Sequence, residues 1–142
     1  MRINENCMRD ILIYCADNLT YEKEPESFIA VNVNLQQLYD NFDKSYDEKD
    51  IMYSVMKLAE VGFIKISNVY PNDANYINRC RIMDITFRGH QFLDSIRPEP
   101  IWDKTKTVIG KVGVHTLNFI ENVAHDIAVE SGKEMVKCMM SK

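Results

Sequence analysis

Apolar residues recur along this chain in two rhythms, and the switches between them mark its elements. Met8, Ile11, Leu12, Cys15 and Leu19 follow spacings of three and four, the repeat of one face of an α-helix, so a helix is expected over about residues 5–19. Asn4 or Asn6 can cap its start. Residues 20–27 are expected to form an acidic loop, and 28–33 (Phe-Ile-Ala-Val-Asn-Val) a short strand. Asn34 can cap a second helix with Leu35, Leu38, Tyr39 and Phe42 on one face. Asp47 can cap a third, with Ile51, Met52, Val55, Leu58 and Ala59 inward and Asp50, Tyr53, Ser54, Lys57 and Glu60 outward. Gly62 ends it.

Two strand-like runs follow, 63–70 and 76–85, joined by the turn cluster Pro71-Asn-Asp-Ala-Asn75, which predicts a β-hairpin. Thr86 can cap a fourth helix holding Phe92, Leu93 and Ile96, and Pro98 stops it. Helix, strand, helix, helix, hairpin, helix is the order of a winged helix-turn-helix. The expected fold is therefore α+β and mainly helical, with a winged-helix domain over 1–98 and a helical C-terminal extension over 99–142. In the extension, Ile101-Trp102 is expected to anchor the tail to the core. Val108, Ile109 and Val112 suggest a short helix, and Gly110 and Gly113 a joint. Leu117, Ile120, Ala124 and Ile127 then form a stripe at spacings of three, four and three. Such a seam needs a partner, either the chain's own first helix or a second copy, and the joint favours a homodimer through these four residues.

Two stretches resemble a known family. Asp84 to Arg97, with Gly89-His90 and Phe92-Leu93-Asp94, continues into Ile101-Trp102 and looks like the pattern T-W-x-G-H-x-F-L-D…I-W. That pattern belongs to an uncharacterised bacterial, phage and prophage family, a domain of unknown function. Asp50 to Ile64 is similar to its Y-H-x-x-L-L-x-x-A-G-L-I segment. Phe87 stands where Trp is usual, and Ser54 where His is usual. The resemblance implies a winged helix and a phage or mobile-element setting, and it brings no catalytic residue.

Composition narrows the function. The chain has 142 residues, 46% hydrophobic and 27% charged, which suits one globular unit with an appendage. Nothing approaches an uncharged apolar window of ~18–20 residues, and the N-terminus has no signal-peptide core, so a cytoplasmic protein is expected. Cys7, Cys15, Cys80 and Cys138 are scattered, and His115 and His125 lack the helical spacing of metal ligands. No phosphate-cradling glycine motif or nucleophile elbow occurs. The expectation is a non-enzyme without metal or cofactor. His90, with Asp94 one turn on, is read as a half-buried, hydrogen-bonded structural residue.

Net charge is −4, unevenly spread. Residues 1–50 hold 5 basic and 11 acidic side chains, a net of −6, whereas 51–97 hold 6 and 4, a net of +2. A winged helix reads the major groove with its third helix and can reach the minor groove with its hairpin. The candidate DNA contacts are thus Lys49, Tyr53, Ser54 and Lys57 on that helix and Arg79 and Arg81 on the hairpin. Asp47, Glu48, Asp50 and Glu60 on the same helix would repel phosphates. Two functions stay open: a DNA-binding regulator reading double-stranded DNA, or a non-catalytic adaptor binding another protein.

Overall fold

Helix α1 (Glu5–Asn18) runs through the middle of the core, and the five side chains that its spacing turns inward, Cys7, Met8, Ile11, Leu12 and Cys15, are fully buried. Asn4 caps it by accepting from the Cys7 N–H at 3.1 Å. The computed structural model describes residues 1–69 and 78–141, for 68, 69, 78 and 79 in backbone only.

The expected acidic loop is instead half of a hairpin. Strands β1 (Thr20–Lys23) and β2 (Phe28–Val31) pair antiparallel, Thr20 opposite Val31 and Lys23 opposite Phe28. The Glu24–Ser27 turn closes with the Glu24 N–H donating to the Ser27 carbonyl at 2.8 Å. Pro25 presets the turn at its second position. Asn32 ends the pairing, so the run expected as one strand over 28–33 divides between two sheets. Its second piece, β3 (Val33–Asn34), joins β4 (Ile64–Val69) and β5 (Asn78–Ile85) in a three-stranded antiparallel sheet of order β3-β5-β4. The turn cluster 71–75 lies outside the described residues.

The sheet turns Val33, Ile64, Cys80, Ile82 and Ile85 inward, all buried. Ile82 and Ile85 are three apart, and strict alternation would put them on opposite faces. A bulge resolves this. Lys65 pairs with Asp84 and Ile66 with Ile82, so Met83 is the extra residue and is 38% exposed.

Between β3 and β4 lie α2 (Leu35–Phe42) and α3 (Glu48–Glu60). Asn34 and Gln37 form a reciprocal capping box on α2, and the Asp47 carboxylate accepts from the Lys49 N–H on α3. Helix α4 (Phe87–Ile96) is capped by Thr86, whose hydroxyl accepts from the Gly89 N–H. Gly89 sits where nothing larger fits. A Cβ there would lie 2.0 Å from the Phe63 carbonyl oxygen and 2.8 Å from Ile85 Cγ2, so glycine lets α4 press against the start of β4.

Helix α5 (Glu99–Val112) is longer than the short helix expected and contains Gly110 in its interior. Trp102 is buried as an anchor: its Nε1–H donates to Asn6 Oδ1 at 3.0 Å, and Arg9 and Lys106 lie over its ring. Gly113, at φ 80°, ends α5 in the left-handed region that suits glycine. The chain then reverses into α6 (Leu117–Met140), which returns against α5 and α4. Leu117, Ile120 and Ala124 are consequently buried in the chain's own core and Ile127 is half-buried. This corrects the expected dimer interface: the Gly113 reversal gives those residues an intramolecular partner.

Two arginines fix these helices to the rest. Arg9, 8% exposed, donates to the Ile96 and Arg97 carbonyls at the end of α4 and pairs with Glu99, satisfying carbonyls that a helix end leaves open. Arg88 donates to the Val61 carbonyl, to Asn118 and to both Glu121 oxygens while covering the Phe63 ring. One shared hydrophobic core therefore runs from Cys7 to Ala124. Among the described residues no helix is long and apolar enough to cross a membrane.

Candidate functional site

Of the six residues expected to meet DNA, the five whose side chains are described do not form one surface. Ser54 is 1% exposed, buried with Ile51, Val55 and Leu58, which corrects its outward placement. It follows Ile51 by three and precedes Leu58 by four, so helical phase carries it inward despite its polarity. Its Oγ lies beside the Cys7 thiol and has no hydrogen-bond partner among the described residues. Lys49 is exposed, between Glu48 and Asp50.

Tyr53 and Lys57 are half-buried, and Lys57 is already engaged. Its Nζ donates to Glu60 Oε2 at 2.6 Å and lies 5.5 Å from the Tyr53 ring centroid. The Glu60 bond holds the lysine pKa above its ordinary value. Both side chains open into a depression of about 430 Å³, shared with Met1, Ile3, Glu60 and Leu117. The outer face of α3 is thus flanked by the chain start and by the α5–α6 corner. Arg81 is exposed and lines a different depression, near Asn34 and Gln36 at the start of α2. The Arg79 side chain lies outside the described residues. Residues 35–61 hold 6 acidic and 3 basic side chains, a net of −3 on the two helices that would approach a groove.

His90 is also placed differently from expectation. Its side chain is exposed and, among the described residues, makes no hydrogen bond, to Asp94 or otherwise; only its backbone N–H is bonded, to the Thr86 carbonyl at 2.9 Å. The expected half-buried, bonded histidine is corrected. In the Gly-His pair the structural demand falls on Gly89. His115, at the α5–α6 corner, places its Nδ1 in hydrogen-bonding contact with the Glu5 carboxylate.

Burial raises the thiols of Cys7 and Cys80 to about 11 and that of Cys15 to about 12. All three remain protonated at neutral pH, so none stands ready as a thiolate nucleophile. Cys138 is exposed. Among the described residues no three of His, Cys, Asp and Glu gather as a metal site.

One exposed apolar patch of the first half is a feature that sequence reasoning missed. On the β1–β2 pair, Tyr21 and Phe28 are each 68% exposed and Ile29 is 48% exposed. Tyr21 pairs with Ala30 and Phe28 with Lys23, so the two aromatic rings are diagonal neighbours on one face. Glu22, Glu24 and Glu26 surround them in sequence. The available signal was Glu24-Pro25-Glu26-Ser27 between Tyr21 and Phe28, a turn between two strand-formers.

These elements define an α+β, mainly helical protein with, among the described residues, two small antiparallel sheets. The chain belongs to the family described as Hypothetical protein (DUF2513), whose model matches residues 2–115. The matched part ends at the α5–α6 corner, and α6 lies beyond it. No curated protein and no solved structure matches the chain.

Proposed function

We propose that the chain is a winged-helix protein-interaction module without chemistry of its own, in which α2 and α3 form the helix-turn-helix and β4–β5 the wing. The observation that carries this reading is the β1–β2 hairpin. A two-stranded sheet is marginal in water by itself, and this one displays Tyr21, Phe28 and Ile29 to solvent. Aromatic residues on an otherwise charged surface are the usual anchors of protein interfaces. The net charge of −3 over residues 35–61 and the Lys57–Glu60 pair both weigh against a phosphate-facing α3.

A second reading, a DNA-binding regulator, draws on the element order and on Lys65 and Arg81, both exposed on the β4–β5 pair. The family resemblance supports a phage or mobile-element setting in the bacterial cytoplasm for either reading. The test places a photo-crosslinking residue at position 28 of the full chain in the native cell. One discrete protein adduct is expected, lost when Tyr21→Asp is added. A complex with mixed-sequence duplex DNA that weakens steeply with salt and on Lys49→Ala plus Arg81→Ala would establish the second reading instead.

A further inference from the structure

Helix α6 leaves the core after Ala124 and continues to Met140. Sixteen further residues at ~1.5 Å each make roughly 24 Å of helix, the last nine of them, from Gly132 on, exposed throughout. Its charged side chains keep to one side. Asp126, Glu130, Lys133, Glu134 and Lys137 lie on one side. Ala128, Ser131, Gly132, Met135, Cys138 and Met139 recur at spacings of three and four on the other. That second stripe continues the line of Leu117, Ile120 and Ala124, the face that packs on α4 and α5 below. Ala128 and Ser131 are still half-buried; from Gly132 onward the stripe covers nothing, and Met135 and Met139 are 62% and 69% exposed.

The geometry points to a second copy of this chain as the occupant, its α6 antiparallel to the first about a twofold axis between Lys133 and Glu134. In that register Gly132 faces the partner's Met135 and Ala128 faces the partner's Met139, so each flexible thioether side chain meets a residue with little or no side chain. A Cβ built on Gly132 meets nothing within 4 Å in the single chain; the hole is open. Parallel helices would set methionine on methionine and glycine on glycine, alternately crowded and hollow. They would also bring both core domains to one end, whereas antiparallel helices separate them and oppose their dipoles.

Charge fits the same occupant. The stripe carries no charged residue, so two identical copies meet without like-charge repulsion. The polar side holds three acidic and two basic residues within 126–137, unlike the cationic face that binds a membrane surface. The seam is about two heptads long, which suits a weak dimer that dissociates on dilution. This surface is separate from the β1–β2 hairpin, and the inference stands or falls independently of the proposed function.

The antiparallel register places Cys138 beside the partner's Ser131, while the two copies of Cys138 lie about nine residues, ~13 Å, apart along the axis, beyond disulfide reach. The experiment is sedimentation of the full chain across the micromolar range, with mild oxidation in parallel. Mass is expected to rise from one chain to two with concentration, and Met135→Lys should weaken self-association by roughly tenfold or more with the melting temperature of the dilute monomer unchanged. Ser131→Cys should oxidise to a covalent dimer, and adding Cys138→Ser should abolish it. A monomer at every concentration, a dimer indifferent to Met135→Lys, or a disulfide dimer of the unsubstituted chain through Cys138 would each overturn the proposal.

Discussion

Among the described residues two antiparallel strand pairs, β1–β2 and β4–β5, are held in opposite ways. In β4–β5 the aliphatic residues share one face: Ile64, Cys80, Ile82 and Ile85 are buried, and Lys65, Ser67, Arg81 and Asp84 face out. The Met83 bulge preserves that division where strict alternation would break it. A third strand, β3, pairs along β5, and α1 and α4 lie against the same strand. In β1–β2 the apolar residues are divided between faces, Tyr21 and Phe28 on one and Ile29 and Val31 on the other. Neither face can be given wholly to a core, and every residue but the half-buried Val31 is exposed. A strand's membership of the core is decided by whether its apolar side chains agree on a face, more than by how many it has.

The largest effects should fall on the β4–β5 side. Gly89→Ala drives a Cβ into the Phe63 carbonyl and should cost upwards of ~3 kcal/mol, since backbone cannot step aside as a side chain can. Ile82→Ala should cost about 2–4 kcal/mol, while Ile29→Ala on the free hairpin should stay within ~0.5 kcal/mol. Urea denaturation of the two isoleucine variants measures the contrast directly. Equal losses would mean that the first hairpin is part of the folding unit after all.

A second effect is one of pH. Cys15, on the helix beneath β5, ionises only near 12 in the fold, against 9.0 for an ordinary thiol. Between those values the unfolded chain has released a proton that the folded chain keeps. Stability is therefore fully present below pH 9 and falls as pH rises toward 12, by up to ~1.4 kcal/mol per unit from this thiol. Cys7 and Cys80, raised to about 11, act in the same direction. Cys15→Ala should flatten the decline measured by denaturation between pH 9 and 11, although it lowers stability at pH 7. An unchanged slope would show that the thiol is not sealed from solvent.

The smallest thermodynamic effect should accompany Phe28→Ser, within ~0.5 kcal/mol of the parent at neutral pH. Its consequence should appear instead in partner capture by a crosslinker at position 29, which should be lost. Retained capture with unchanged stability would remove the free hairpin's proposed role and leave it as exposed surface.

Much of the framework was legible because it is local. The 3–4 spacing of Met8, Ile11, Leu12 and Cys15 specifies a helical face whatever it meets, and Asn34, Asp47 and Thr86 cap the helices that they precede. Trp102 after two prolines marked an anchor for the same reason: a large apolar ring beside a chain stop must find cover. What escaped was set by contacts far apart in sequence. Ser54 looked outward by polarity, but the phase of α3 against α1 buries it. His90 drew attention as the titratable member of its pair, while the demand lies on Gly89, which only the approach of Phe63 reveals. Arg9 and Arg88 gained their roles from partners 87 and 33 residues away.

The sequence by itself determined the elements and their caps, because hydrogen bonds and side-chain rhythm within a turn or two of chain decide those. Tertiary structure alone decided where the apolar stripe of α6 stops being covered. Leu117, Ile120 and Ala124 meet α4 and α5 after the Gly113 reversal, and Met135 and Met139, on the same line of the same helix, run past the end of the domain. Amphipathicity assigns a helix a face; only the finite extent of the core against it decides how much of that face is left for another molecule.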